Sequence, residues 1–300
     1  LAKSKTTDGE SFSAMKLAAF ALAFLGRRGA ATLIALAVLV VFFITGWRAW
    51  GPTILNLPAY TLTEDKFEVT PQPVWIHGHI KQEALRSGDL AKLSILDPKL
   101  VEKVEHAFAV QTWVADVKRV SKQHPAKVVV ELEYRRPVGM VEVTQGEERG
   151  LLPVDTYGVL LPPEDFSANQ VRKYLRISVG STTPQGPVGT PWGDARVAAA
   201  AKIAVALEDC WPKLQLYRIQ HTGDDTAGSP TFDLLTRDGA KVIWGHAPGQ
   251  EASGEATARE KLAQLAAWHE KHGPLSAAGE KKELNVRDGQ LTQSEVKKNR

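Results

Sequence analysis

Lys127-Val-Val-Val-Glu-Leu-Glu-Tyr134, closed by Arg135-Arg136-Pro137, alternates along its whole length. Val128, Val130, Leu132 and Tyr134 fall on one face, and Lys127, Val129, Glu131 and Glu133 fall on the other. That period of two is the signature of a strand with one buried face. Working back along the chain, His124-Pro125 marks a turn and Trp113–Lys122 reads as a second strand with imperfect alternation. Asp97-Pro98 has the chemistry of a helix start, with Asp as cap and Pro at the first helical position. Leu100, Val101, Val104 and Phe108 follow on one helical face. Ile80–Ser87 is a shorter helix, and Val74-Trp-Ile-His-Gly78 reads as a strand ending at a turn. The order strand, helix, helix, strand, strand predicts one α+β unit over residues 74–137, its helices covering one face of its sheet.

Working forward from Pro137, the chain predicts a mixed, β-rich unit over residues 138–291 with two helices. Val138–Val143, Leu151–Leu161 and Leu175–Val179 are strand candidates, with turn signals at Gly146 and Asp155-Thr-Tyr-Gly158. Residues 180–193 hold four glycines and three prolines and read as a loop. Asp194 caps a helix running to about Asp209, with Val197, Ala201, Ala204 and Leu207 on its apolar face. Leu214–His221 is strand-like. Thr231–Thr236 and Lys241–Trp244 flank Arg237-Asp-Gly239, a hairpin signal. Gly245–Gly254 is loop, and Glu255–Lys271 is the second helix, with Ala258, Leu262, Leu265 and Ala266 as its stripe. Glu283–Arg287 is a short terminal strand, and residues 292–300 read as a disordered tail.

Ahead of both units, Gly29–Gly46 carries no charge and is almost wholly apolar. Eighteen residues at ~1.5 Å each cover ~27 Å, close to the ~30 Å hydrocarbon core of a bilayer. Arg27 and Arg28 precede this run, and Trp47 and Trp50 follow it, side chains suited to the two membrane interfaces. Residues 1–28 hold five basic and two acidic side chains. The net charge of the whole chain is +3, so residues 47–300 are neutral, with 32 charges of each sign. The basic character is therefore an orientation signal. It leaves no electrostatic footprint for nucleic acid on the folded bulk. It predicts a cytoplasmic tail over 1–28, an uncleaved single span over 29–46, a stalk over 47–73 and a C-terminus outside the cytoplasm. Phe12–Leu25, also apolar, is short for a second span and suits a helix lying on the inner surface. Cys210 is the only cysteine. No intrachain disulfide is possible, and its place in an apolar helical pattern predicts an inert buried thiol.

The ordered set of elements resembles the bacterial cell-division family called FtsQ in Gram-negatives and DivIB in Gram-positives. The likeness runs through most of residues 27–291. It rests on the basic N-terminus and single span, on Val74–Gly78, on Leu96-Asp-Pro98 and on Trp113–Val120. Beyond these it rests on Val128–Tyr134 with Arg136-Pro137-Val138, on Val154-Asp-Thr-Tyr-Gly158, on Asp238-Gly239 with Trp244-Gly245, on Lys261-Leu262 with Leu265, and on Leu284-Asn-Val-Arg287. Asn285 stands where the family usually has Asp, and Thr112 where Pro is common. The resemblance implies a membrane-proximal POTRA domain over 74–137, a β domain after it, no catalytic residues and no cofactor. It implies a scaffold in the bacterial inner membrane that pairs with FtsB/DivIC-like and FtsL-like bitopic proteins at the septum.

A strand at a sheet edge leaves backbone N–H and C=O groups open, and a partner strand can add there. The expected partner-binding edge is Leu284, Asn285, Val286, Arg287, Asp288, Gly289, Gln290 and Leu291, with Trp268 of the last helix as a candidate contact beside it. Catalytic chemistry finds little support. His77 and His79 share a face without a third ligand. Trp268-His-Glu-Lys-His272 has its histidines three apart, where zincin chemistry needs four. No phosphate loop, dinucleotide fingerprint or nucleophile elbow is present. A POTRA-bearing transport or envelope-assembly component is the alternative to the division scaffold, and a membrane-anchored hydrolase is a third, weaker one.

Overall fold

A computed structural model describes residues 27–55, 59–273, 275, 282–289 and 291–295. Over these residues the protein is α+β, with one apolar N-terminal helix followed by two sheets that carry separate cores.

Helix α1 spans Arg27–Leu55, and its Ala31–Gly51 stretch is long and apolar enough to cross a membrane, with its large apolar side chains exposed. The helix does not stop at Gly46 as expected. It carries Trp47 and Trp50, both exposed, and Trp47 stacks on Phe43 one turn earlier. Arg27 and Arg28 open the helix. The Phe12–Leu25 segment lies outside the described residues.

The first sheet has three strands: β1 (Phe67–Val69), β2 (Val114–Gln123) and β3 (Lys127–Tyr134), in the order β1-β3-β2. β3 is central, antiparallel to β2 and parallel to β1. Its Val128, Val130 and Leu132 face helices α2 (Ile80–Ser87) and α3 (Leu100–Ala109), which supply Ile80, Ala84, Leu85, Leu100, Val104 and Phe108 to the same core. The expected order of elements is present, but its first strand is Phe67–Val69. Residues 74–78 form turns instead, with Val74 almost fully exposed. The stalk expected over 47–73 is thus taken up by helix α1 at one end and by the first unit at the other. Leu62 and Phe67 are buried in the core, and backbone bonds tie Leu62 to Leu93 and Tyr60 to Ile95. Asp97 does not cap α3 directly. Its carboxylate accepts from the Lys99 N–H at 2.8 Å, one turn ahead of the helix.

The second sheet has eight strands: β4 (Pro137–Gln145), β5 (Glu148–Asp155), β6 (Leu175–Ser178), β7 (Leu216–Asp224), β8 (Pro230–Thr236), β9 (Lys241–Gly245), β10 (Lys282–Asn285) and β11 (Thr292–Glu295). They lie in the order β11-β10-β9-β8-β7-β6-β4-β5. A short helix, α4 (Ala168–Val171), precedes β6. Helices α5 (Ala195–Ala206) and α6 (Ala258–His272) pack on one face of the sheet. The α5 stripe is as the sequence predicts, with Val197, Ala201, Ala204 and Leu207 all buried, and Asp194 caps it by accepting from the Arg196 N–H at 2.9 Å. The same carboxylate continues a chain that pins the Gly/Pro loop: Trp192 Nε1 donates to Thr182 Oγ1 at 2.9 Å, and Thr182 donates to Asp194 at 3.0 Å. Cys210 is half-buried on this side, and burial pushes its thiol up to about 11, as expected of an inert group.

The two units are locked together. Leu161, past the end of β5, is fully buried in the first core. Trp113 donates to Asp165 at 2.6 Å and packs on Phe166. Arg135 reaches the buried Asp155 at 2.8 Å, whose other oxygen accepts from the N–H groups of Tyr157 and Val159. Between the units lies a cleft of about 880 Å³ whose walls include Pro71, Trp75, Tyr134, Tyr157 and Val205.

Candidate interaction surfaces

The C-terminal region is where the sequence places partner binding, and the structure rearranges it. β10 is an interior strand. It pairs in parallel with β9 (Leu284 opposite Val242) and antiparallel with β11 (Asn285 opposite Thr292). Leu284 and Val286 are fully buried in the second core. Asn285 accepts from the Arg287 N–H at 2.9 Å and donates to Asp288 at 3.1 Å, folding Arg287, Asp288 and Gly289 into the turn that returns the chain as β11. Leu291 packs against the same core, while Gln290 lies outside the described residues. The continuous edge expected over Leu284–Leu291 is therefore an interior strand plus a turn. The outer edge of this side of the sheet is Thr292–Glu295, inside the stretch read as a disordered tail. The physical reason is that the polar tail answers the open backbone groups of β10, which alternation alone does not reveal. Trp268, the other candidate contact, is 5% exposed and belongs to the core.

Behind this edge sits a buried ionic cluster that sequence reading missed. Helix α6 starts at Ala258, because Thr257 and Glu260 form a capping box. That leaves Glu255 outside the helix and turned inward. Its carboxylate receives Lys261 Nζ at 2.6 Å, the His246 ring at 2.5 Å, and the N–H groups of His246 and Ala252 at 2.8 and 3.1 Å. The second ring nitrogen of His246 faces Asp225 at 3.0 Å. Lys261 is fully buried, with its ammonium 5.0 Å from the Trp244 ring centroid. Burial by itself raises the Glu255 carboxyl, but the hydrogen bonds from Lys261, His246 and the two backbone donors outweigh it and hold the group at about 2. Gly245 makes the approach possible. Its φ is +88°, and a Cβ there would sit 2.2 Å from Glu255 Oε1. The cluster ties β9, the 246–256 loop and α6 together, and the Ala256 N–H extends it to the C-terminal turn by donating to the Arg287 carbonyl at 2.9 Å.

The signal for this cluster was a lysine in an apolar stripe. Lys261, Leu265 and Trp268 share the buried face of α6, whereas Ala266, expected there, is exposed. Each charged member of the cluster is answered by another, so the cluster fastens strand, loop and helix together. His77 and His79 are exposed, and His272 stacks on Trp268 with centroids 5.0 Å apart. Among the described residues, no group of three or more His, Cys, Asp or Glu side chains is placed to hold a metal ion.

Among the described residues, the fold and these surfaces define an α+β protein of two fused units behind one apolar helix, with an unpaired strand edge at the C-terminal side. No protein-family model matches this chain, and no curated protein matches it either.

Proposed function

We propose that this chain is a non-enzymatic, bitopic scaffold of the bacterial division machinery, of the FtsQ/DivIB kind. Helix α1 anchors it in the cytoplasmic membrane with its N-terminus inside, following the positive charge before the span. Both sheets stand outside and gather FtsB/DivIC-like and FtsL-like bitopic partners at the septum. The observation that carries this reading is the outer edge of β11, which among the described residues is paired on one side only and ends an eight-stranded sheet. A partner strand can add there, taking affinity from backbone bonds. Support also comes from the order of elements shared with that family, including a POTRA-like first unit. Transport or envelope assembly is the alternative, because POTRA-like units also receive extended polypeptide.

Fluorescent fusions of the full chain in dividing cells test the reading. A midcell band is expected, and a uniform envelope signal overturns it in favour of transport. Proline pairs test the edge. In an antiparallel pair, alternate N–H groups point to the neighbour and to the outside. One of the pairs Thr292→Pro/Ser294→Pro and Gln293→Pro/Glu295→Pro therefore removes only outward donors. That pair should leave the fold intact, by circular dichroism and thermal melting, and abolish midcell accumulation of the partner proteins. Normal accumulation with both pairs refutes the edge.

A further inference from the structure

The face of the second sheet opposite the α5 and α6 core carries Arg176, Tyr217 and Arg218, all half-buried. Two features make one part of it unusual. In register, Arg176 of β6 lies directly opposite Arg218 of β7. Like charges placed across neighbouring strands destabilise a sheet. Beside them, a bulge between Leu216 and Arg218 lets Leu216 and Ile219 keep to the core while Tyr217 and Arg218 both go to the open side. The guanidinium carbons of Arg176, Arg218 and Arg237 then lie 5.1, 5.2 and 4.7 Å from the Tyr217 ring centroid.

Glu142 answers two of these cations, Arg218 at 2.9 Å and Arg176 at 3.5 Å. Arg237 is exposed on the β8–β9 turn and makes no ion pair among the described residues. Three guanidiniums thus surround one aromatic ring with one carboxylate shared by two of them, a local excess of two positive charges on a fold whose total charge is zero. Farther along the same face the balance reverses, with Lys241 held between Asp233 at 3.6 Å and Glu283 at 2.8 Å. A polyphosphate backbone or a broad anionic membrane surface laid across the sheet meets repulsion at that acidic end. A short acidic peptide confined to the arginine end does not. Adjacent strands are ~4.8 Å apart, and alternate residues of an extended peptide are ~6.6 Å apart, so carboxylates at every second position can each reach a different guanidinium.

We propose that the Tyr217 platform, with Arg176, Arg218 and Arg237, is a docking site for an acidic peptide segment of a partner protein. It is separate from the β11 edge and does not rest on the division reading. The test uses the full chain in phosphatidylcholine nanodiscs and a fluorescein-labelled ten-residue peptide of alternating Glu and Ser, read by fluorescence anisotropy. The peptide should bind, with affinity falling as salt rises. Arg176→Gln/Arg237→Gln should weaken binding by about tenfold or more, because two charge-assisted contacts are lost. Arg176→Lys/Arg237→Lys, which keeps the charge and loses the fork, should fall between the two. Glu283→Gln should leave binding unchanged. Arg237→Gln alone, on an exposed turn, should weaken binding about threefold and covers the case in which the double variant misfolds. Equal binding by well-folded Gln variants overturns the proposal. So does tighter binding of phosphatidylglycerol vesicles or of a single-stranded oligonucleotide than of the Glu peptide, or equal binding of a Lys/Ser peptide.

Discussion

The first unit buries Phe67, Phe108, Val128 and their neighbours with no charged side chain among them, whereas the second buries Lys261, Glu255 and His246 beneath Trp244. Both units have two helices on one sheet face, so architecture does not explain the difference. The loop after β9 does. It turns through Gly245 and runs inward, bringing backbone donors at His246 and Ala252 that need an acceptor. Glu255 supplies the acceptor, and Lys261 neutralises it. An apolar core is indifferent to protonation and tolerant of local shifts. A buried charge cluster is neither, because each member left alone is costly. One half of this molecule thus has its stability set by volume and the other partly by charge.

The largest expected effect breaks the cluster. Lys261→Met leaves Glu255 buried without its cation and should cost roughly 3–5 kcal/mol. Amide hydrogen exchange should show lost protection in β9 and α6, with β3 amides unmoved. Equal loss in β3 would mean that the two units open as one block and would erase the contrast. Acid should separate them next. The Glu255 carboxyl sits at about 2 in the folded chain against an ordinary 4.5. A depressed carboxyl stabilises above the unfolded value, so its contribution is complete above pH 4.5 and is lost as pH falls through about 2. That contribution is roughly 3 kcal/mol. In the first unit Asp97 is also lowered, first by the hydrogen bond from Lys103, but it lies at the surface and its effect should be smaller. Protection in β3 falling earlier than in β9 on acid titration would contradict this order. The smallest effect is Thr257→Ala, which removes half of the capping box and should cost about 1 kcal/mol, visible as a shift in the melting of α6 alone.

Legibility in the sequence followed the strength of local patterns. Lys127–Tyr134 alternates without interruption and proved to be the central strand of its sheet. The alanine-rich stripe from Val197 to Leu207 named the buried face of α5, because small side chains at helical spacing admit one reading. β1 escaped because Phe67-Glu-Val69 is too short to show a period and lies among prolines that suggest a stalk. The terminal edge was misplaced for a related reason. Leu284 and Val286 announce a strand, but whether that strand has a neighbour on its far side depends on polar residues with no pattern of their own. Glu255 was hidden by its helix-forming character, and only the Thr257–Glu260 pair signals that the helix begins later. The Tyr217 platform was invisible, since it is assembled from β6, β7 and the β8–β9 turn and depends on a bulge.

Leu161 has a consequence for anyone who wishes to cut this molecule into pieces. In chain order it belongs to the second unit, but in space it plugs the first, with Phe166 beside it. Scissors applied at Pro137 yield a fragment with an empty socket, and its exposed lining invites aggregation. The modules are thus not interchangeable cassettes. Moving the first unit into another chain should succeed only if the plug travels with it.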